Sequence, residues 1–193
     1  MVFAYKAFNK DLTCTKGSGT FQYETGMWFE EKTANCAQNG FHAASNPLDC
    51  LTYYPDMENS RYFEVMCDGD IDEDGRDSRL SCTKIFLSRE LDAQDFVAET
   101  LKYIRRHPNM PDSTNICREH GQVKTGQKCV IVRGKRPIAR GPVGTWVGFV
   151  KEKEDSPEID HISMVFVNGS RDGEHESWFD DYGHFVDPPE GAD

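Results

Sequence analysis

The sequence predicts an α+β protein, in which a mixed or antiparallel sheet with two helices is followed by a small β-barrel. Short apolar or alternating segments, separated by turn residues, fill most of the first hundred residues and indicate strands. One longer segment at 92–107 has apolar residues at helical spacing, and the last third returns to short strand-like runs. These patterns divide the chain into a domain at 1–107, a linker at 108–122, a barrel at 123–186 and a tail at 187–193.

The first domain contains six predicted strands. Residues 40–44 are a short apolar run that follows an Asn-Gly pair, which is typical of a strand leaving a turn. The other predicted strands are 2–8, the two extended pieces that flank Thr25 and Gly26, 61–67 and 83–87.

The first predicted helix lies directly after the strand at 40–44. Ser45 or Asn46 can cap this helix, Pro47 fits its first position, and Pro55 ends it. A junction between a strand and a helix places side chains where a ligand can reach them. We therefore expect a concave site here.

The second predicted helix has the clearest signals in the chain. Asp92 can serve as the N-cap, and Pro108 ends the pattern. The apolar positions of its buried stripe are Phe96, Val97, Leu101 and Ile104. No comparable period is present at 108–122, which is why this segment is interpreted as a linker.

Four short runs predict the barrel of the last third. They are residues 128–132, 144–150, 161–167 and 174–179. The segments between them are rich in turn residues, as expected for a small all-β module.

Composition predicts a soluble, intracellular chain. Among the 193 residues, no apolar run approaches the roughly 18 residues needed to cross a membrane, and the first residues lack the pattern of a secretory signal. The seven cysteines are scattered without a tight framework, so we expect reduced thiols in a cytoplasm. The net charge of −11 disfavours the whole chain as a nucleic-acid binder.

The charges are unevenly distributed, which predicts two partner surfaces. Residues 56–77 hold nine acids and two arginines, and residues 124–140 hold six cations and no acid. An acidic surface can bind a basic partner, and a basic run beside aromatic residues can bind nucleic acid or an acidic partner. The alternative is that the two segments neutralise each other. The candidate partner-binding residues are Asp70, Asp72, Asp74, Asp77, Arg133, Lys135, Arg136 and Trp146.

No metal site is predicted. Residues 70–75 match the first half of a calcium loop, but the position that requires a bidentate Glu is Ser81. The cysteines and histidines include no Cys-x-x-Cys pair, the usual anchor of a zinc site.

The first half of the chain resembles an uncharacterised domain family found in phages and bacteria. The motifs are KAFNKDL, FQYETG, GFHA and NPLD at residues 6–12, 21–26, 40–43 and 46–49, with Cys14, Cys36, the Tyr-Tyr pair at 53–54 and Glu90 also at expected positions. The resemblance implies a phage or mobile-element origin, and it implies no particular chemistry.

The order of these elements is also similar to ADP-ribosyltransferase-like domains, which use NAD. That resemblance implies that Lys6 stands where the first strand usually has Arg or His, and that His42 or Ser45 is the polar residue of the central strand. Tyr53 or Tyr54 would then stack on nicotinamide. Lys lacks the planar fork of Arg, so the Lys at this position departs from the family pattern.

The same resemblance implies that Glu90 is the late carboxylate that orients the nucleophile. Under this hypothesis the catalytic residues are Glu90 and Tyr54, and the ligand-binding residues are Lys6, His42, Ser45 and Tyr53.

The last third resembles SH3-like barrels in its KCVIVRG entry at 128–134 and its GTWVG strand at 144–148. Such barrels bind peptides, nucleic acid or neighbouring domains, so the resemblance does not select a ligand.

Two functions from different classes follow. The favoured hypothesis is an acidic, phage-type interaction protein without a cofactor, which binds and modulates or inhibits a host protein or defence complex of the anti-CRISPR kind in the host cytoplasm. The alternative is an ADP-ribosyltransferase-like enzyme that uses NAD to modify a host macromolecule. Direct nucleic-acid binding is expected only at a basic patch on the barrel.

Overall fold

The protein is built mainly from β-strands. The structure is a computed structural model, and it describes residues 1–17, 19–73, 75, 77–171, 173 and 176–190. Strands account for 47% and helices for 11%, so the expected α+β class is wrong and the described chain is nearly all-β. The main reason is that the first expected helix is only a short 3₁₀ helix, Pro47–Thr52.

The chain forms two compact units, Met1–Asp92 and Ala93–Asp193. The helix expected at the end of the first domain therefore belongs to the second unit, and the division between the units precedes the expected boundary at residue 107. No described helix has the length and apolar character needed to cross a membrane.

The described part of the first unit consists of seven strands and the 3₁₀ helix. The strands are β1 Val2–Asn9, β2 Thr13–Gly17, β3 Gly19–Gln22, β4 Trp28–Glu30, β5 Phe41–Ala44, β6 Ser60–Glu73 and β7 Arg79–Leu91. All pairings among them are antiparallel.

The main sheet of the first unit closes on itself. Its strand order is β4-β7-β5-β1-β6, and β6 also pairs with β7. The long β6–β7 hairpin has register shifts after Glu64 and Asp68, and such bulges bend a strand and increase its twist. The enclosed core is apolar and includes Phe8, Phe63, Val65, Ile85 and Leu87.

The predicted strand-to-helix junction is confirmed in place but not in helix type. Asn46 is the N-cap, and its side chain accepts a hydrogen bond from the Leu48 N–H at 3.1 Å. Pro47 occupies the first helical position, where its missing N–H has no cost. Ser45, the alternative cap, instead donates its backbone N–H to the Ser78 carbonyl at 2.8 Å.

The second unit contains the predicted helix and a mixed sheet. Helix α1, Ala93–Arg106, buries the predicted stripe together with Thr100. The described strands are β8 Ile116–Gln122, β9 Cys129–Arg140, β10 Trp146–Glu152, β11 Ile159–Phe166, β12 Trp178–Asp180 and β13 Phe185–Val186. Helix α1 packs on β10 at Gly148, where a Cβ would lie only 3.0 Å from Val97.

The sheet of the second unit contains both parallel and antiparallel strand pairs. Its order is β11-β10-β9-β12-β13, with β8 also on β9, and both β8 and β10 run parallel to β9. Nothing shows the expected SH3-like barrel. Strand β8 lies within the expected linker at 108–122. Its polar sequence has no apolar alternation, although its backbone pairs with β9 on both sides of a register shift between Arg118 and His120. In the expected tail, 187–190 form no strand or helix, and 191–193 lie outside the described residues.

Candidate functional site

The first unit contains a cavity of about 480 Å³ beside the strand-to-helix junction. Its walls come from β1, the β2–β3 hairpin, β5, the 3₁₀ helix and the start of β7. Aromatic rings line part of it, and charged side chains of both signs line the rest. The charged lining residues are Lys6, Lys16, Arg79, Glu31, Asp49 and Asp77.

The cavity brings together four of the six residues assigned to the transferase hypothesis. Lys6, His42, Tyr53 and Tyr54 all line it, whereas Ser45 and Glu90 do not.

Glu90 lies near the far end of β7 from Arg79, roughly 35 Å along an extended strand. Its carboxylate instead accepts two hydrogen bonds from Arg61, at 2.7 and 2.6 Å. The proposed catalytic set therefore does not converge on one cavity.

Lys6 is a buried cation in the wall of the cavity. Its side chain reaches inward from β1, the residue is 6% exposed, and its Nζ donates to the His42 carbonyl at 2.6 Å. The Nζ lies 5.5 Å from the ring centroids of both Phe8 and Tyr23. Within the described residues, no carboxylate lies within ion-pair distance of this ammonium. Burying a charge is costly unless it is paired, so this position favours an anion nearby.

His42 supports the loop that precedes its strand. Its Nε2 accepts a hydrogen bond from the Ala37 N–H at 2.9 Å, and Asn35 pairs with Asn39 within the same loop. This contact occupies the ring nitrogen that would otherwise serve as an acceptor for a ligand. His42 thus shapes the cavity through its backbone carbonyl and its loop contact.

Tyr53 belongs to a polar network at one end of the cavity. Arg79 donates to its hydroxyl, and the guanidinium carbon lies 5.8 Å from the centroid of its ring. Asp77 lies 3.7 Å from Arg79 Nε. The Arg79 guanidinium therefore already lies against the Tyr53 ring, so this ring is not free on both faces to stack on nicotinamide.

Tyr54 and Cys14 form the second network of the cavity. The Tyr54 hydroxyl donates to Cys14 Sγ at 3.3 Å, and the Lys16 Nζ lies 5.7 Å from the centroid of the same ring. Burial, and then the contact with Cys14, raise the pKa of Tyr54 above its usual range. Burial also opposes ionisation of Cys14, but Lys6, the Tyr54 hydroxyl and Lys16 outweigh it and lower the pKa of this thiol.

Sequence reasoning missed Cys14 and Lys16 as chemical groups. In the sequence, Cys14 stands out only as a position that matches the family resemblance. Its contact with Tyr54 joins residues 40 positions apart, so no local pattern could reveal it. The one available signal was the Cys-Thr-Lys run, because alternate residues of a strand lie on one face.

The acidic residues at 70–77 have mixed roles. Asp70 and Asp72 are exposed near the end of β6, but Asp72 also accepts the Cys36 N–H at 2.8 Å. Asp77 accepts the Arg79 N–H at 2.9 Å. Asp74 lies outside the described residues.

The basic residues of the second unit are only partly available to a partner. Arg133 is buried, and it binds Glu152 and Asp112, each at 2.7 Å. Lys135 donates to the Glu154 carbonyl, whereas Arg136 has an 86% exposed side chain.

Trp146 is half-buried against Phe166, with ring centroids 5.0 Å apart. Because Arg133 is buried and paired with Glu152 and Asp112, it is not available to a partner as part of the predicted basic surface.

A wider depression of about 950 Å³ in the second unit offers less specific chemistry. Several of its charged side chains already have partners: Arg133 with Asp112, His161 with Asp160 at 3.3 Å, and Glu158 with Lys153. In neither unit do the described residues contain three or more His, Cys, Asp or Glu side chains placed to hold a metal ion.

Comparison with known proteins gives a family and no function. No curated protein and no solved structure matches the chain. Residues 2–99 match a family described as a domain of unknown function, DUF7666. The expectation of an uncharacterised domain over the first half is thus confirmed, while the phage, transferase and SH3-like resemblances gain no support. Because the match covers half of the sequence, including every residue of the cavity, the chain belongs to the DUF7666 family.

Proposed function

We propose that the first unit is a small-molecule binding module whose cavity takes an anionic ligand beside Lys6 and Lys16. The observation that carries this proposal is the burial of Lys6 without a carboxylate partner among the described residues. A buried ammonium strongly favours a compensating negative charge. The cavity volume, about 480 Å³, is also within the range of small-molecule sites.

The acids and cations that line the cavity differ in their contacts. Asp49 accepts the Ser78 hydroxyl at 2.6 Å, Asp77 lies beside Arg79, and Glu31 is exposed. Among the described residues, no carboxylate lies within ion-pair distance of Lys6 or Lys16. An anion is therefore expected beside these two lysines.

Aromatic walls indicate the rest of the ligand. Phe21, Tyr23 and Phe41 line the cavity and contact one another edge-on or tilted, with centroids 4.7 to 6.0 Å apart. Such walls favour a planar apolar group over a sugar or a flexible chain. The expected ligand class is an aromatic ring that carries a phosphate or carboxylate.

Calorimetric titration with phenyl phosphate, benzoate and inorganic phosphate tests this proposal. We expect phenyl phosphate and benzoate to bind more tightly than inorganic phosphate, since each of them combines an aromatic ring with an anionic group. Lys6→Met and Lys16→Met should each weaken binding by about tenfold or more, because a hydrogen bond to a charged group contributes roughly 1.5–3 kcal/mol. Lys10→Met is the matched control, since Lys10 is exposed and does not line the cavity.

The proposal fails if phenyl phosphate does not bind, or if the two cavity variants bind it as well as the Lys10→Met protein does. Thermal unfolding of each variant shows whether a loss of binding reflects a loss of fold. Lys16 is exposed, so its replacement keeps the test informative even if Lys6→Met does not fold.

A second candidate function is binding of a basic macromolecule, as the expected host protein would be, at the end of β6. The specific observation is Ile71, which is 37% exposed and lies two residues before the exposed Glu73, on the same face of β6. An exposed apolar side chain beside a carboxylate, with further acids next to it in the chain, fits a partner with an apolar pocket and a cationic rim.

Capture of partners from a lysate of the producing cell tests this candidate. An Asp70→Asn, Glu73→Gln protein should lose a partner that the wild type holds at low salt, whereas Glu58→Gln should keep it. Both replaced acids are exposed, as is Glu58. Equal capture by all three proteins would remove this surface from consideration.

A further inference from the structure

We propose that Cys14 is a site of thiol–disulfide exchange with small anionic disulfides, which enter through the cavity of the first unit. Cys14 is half-buried and lines the cavity together with Lys6, Lys16 and Tyr54. A nucleophile, a hydroxyl donor and two cations therefore meet in one concave site. This proposal uses the same cavity as the proposed function, but it concerns a reaction of the protein's own thiol.

The position of Tyr54 makes it a fixed donor to the sulfur. The tyrosine is 7% exposed, and its backbone carbonyl accepts a hydrogen bond from the buried Tyr62 hydroxyl. Its own hydroxyl donates to Cys14 Sγ at 3.3 Å. A donor held in this way stabilises the thiolate more than the thiol, because only the thiolate is a strong acceptor.

Two cations add to this effect. Lys6 is buried without a carboxylate partner among the described residues, and Lys16 lies over the Tyr54 ring. Both favour the ionised sulfur, in agreement with the lowered pKa of Cys14, where burial is outweighed by Lys6, Tyr54 and Lys16. The thiolate is the form that attacks disulfides.

The other six cysteines supply an internal comparison. Cys117 is also half-buried, but burial dominates there and raises its pKa, with only Lys124 acting in the opposite direction. The pKa of Cys82 is lowered by a hydrogen bond from Cys67, yet Cys82 is fully buried and has no access to a reagent. The remaining thiols, which are also buried, are Cys36, Cys50, Cys67 and Cys129.

The exchange step is balanced by the disulfide itself. The Cys14 thiolate attacks one sulfur of an anionic disulfide, a new S–S bond forms, and the original S–S bond breaks. The second half of the reagent leaves as a thiolate with the electron pair. Cys14 is oxidised, the leaving sulfur is reduced, and the proton that Cys14 lost on ionisation passes to solvent.

The test uses dithiobis(nitrobenzoate), an anionic aromatic disulfide, and dithiodipyridine, a neutral one. At less than one equivalent of the anionic reagent, peptide mapping of the wild type should find the adduct on Cys14 and little on Cys117. Lys6→Met should raise the pKa of the Cys14 thiol and so lower the fraction of thiolate at neutral pH. The more basic thiolate attacks faster, which offsets part of this loss, so the expected net slowing is roughly three- to tenfold. The slowing should be smaller with the neutral reagent.

The pH dependence of the rate separates reactivity from simple exposure. The wild-type rate should rise with an inflection below the ordinary thiol pKa of about 8.5. Tyr54→Phe and Lys6→Met should both move that inflection to higher pH, while Lys10→Met leaves it in place. Labelling of Cys117 at least as fast as Cys14, or an inflection unmoved by both variants, would overturn the inference.

The outcome is distinguishable from that of the proposed function. Cys14→Ser keeps both cations, so its binding of phenyl phosphate tests the cavity without the thiol. Binding with slow labelling removes only the exchange reaction. Fast, selective labelling without binding removes only the ligand proposal.

Discussion

The buried ion network of the second unit should contribute strongly to its stability, and Glu152 is the residue to remove. Glu152 is 4% exposed, and its carboxylate accepts from Arg133 at 2.7 Å and from Arg118 at 3.0 and 2.8 Å. Replacing it with Ala leaves the buried Arg133 guanidinium, among the described residues, with the Asp112 carboxylate and the Pro157 carbonyl.

The expected loss for Glu152→Ala is about 3 kcal/mol in the free energy of unfolding. This value is at the lower end of the range for breaking a buried pair, because Asp112 still compensates Arg133. Joint replacement of Glu152 and Arg133 by apolar residues of similar volume should recover much of the loss, since no unpaired charge then remains at their contact.

Urea denaturation followed by tryptophan fluorescence measures this loss. In a Trp28→Phe background, the remaining tryptophans, Trp146 and Trp178, both lie in the second unit. Glu158→Gln is the matched control, because its 2.7 Å ion pair with Lys153 is exposed and should contribute little. If Glu152→Ala is no more destabilising than this control, the buried network does not stabilise the unit.

The effect should also depend on pH. Burial raises the pKa of Glu152, but hydrogen bonds and attraction from Arg118 and Arg133 outweigh it, so the folded pKa lies below the ordinary 4.5. A depressed carboxyl pKa stabilises the fold above the unfolded pKa, and this contribution is lost as the pH falls through the folded value. The difference between wild type and Glu152→Ala should thus be constant near neutrality and shrink below about pH 4.5. An undiminished difference in acid would refute the electrostatic explanation.

Three further substitutions have specific expected outcomes. Gly148→Ala should lower the stability of the second unit by about 1–3 kcal/mol in urea denaturation, because its Cβ would lie 2.5 Å from Ile131, whereas Gly169→Ala has open space and should be near neutral. Glu90→Gln should leave phenyl phosphate binding unchanged in calorimetry and cost less than about 1 kcal/mol, since its pair with Arg61 is exposed. Asn46→Ala should destabilise the first unit by about 1 kcal/mol in thermal unfolding, through loss of the cap.

Elements with strong local signals could be predicted from the sequence. Helix α1 buries the four expected apolar positions, and the cap and proline of the 3₁₀ helix are at Asn46 and Pro47. Strand β8 could not be predicted, because Arg118, Glu119 and His120 are exposed and Glu119 has a positive φ at a register shift. The parallel pairings on β9 depend on contacts between distant segments, which local patterns do not report.

The candidate site, like the fold, could be predicted only where local sequence signals are present. Local signals identify the junction beside which the cavity lies, whereas Lys6, His42, Tyr53 and Tyr54, which line it, are assigned from the sequence only by the transferase-like resemblance. Glu90 was assigned only by its order in the chain, and an order of elements does not specify which end of a 13-residue strand faces the site.

The lysine at position 6 shows how one residue changes meaning once its surroundings are known. In the sequence it is a substitution for Arg or His and suggests a weakened transferase site. In the fold it is a compact cation beside the rings of Phe8 and Tyr23, and it lines the same cavity as Cys14. An ammonium is a point charge with three donors, which suits a single sulfur or a rotating anion, whereas the planar fork of Arg suits bidentate recognition. Lysine at this position therefore fits a site that holds a thiolate and a small anion better than one that clamps a dinucleotide.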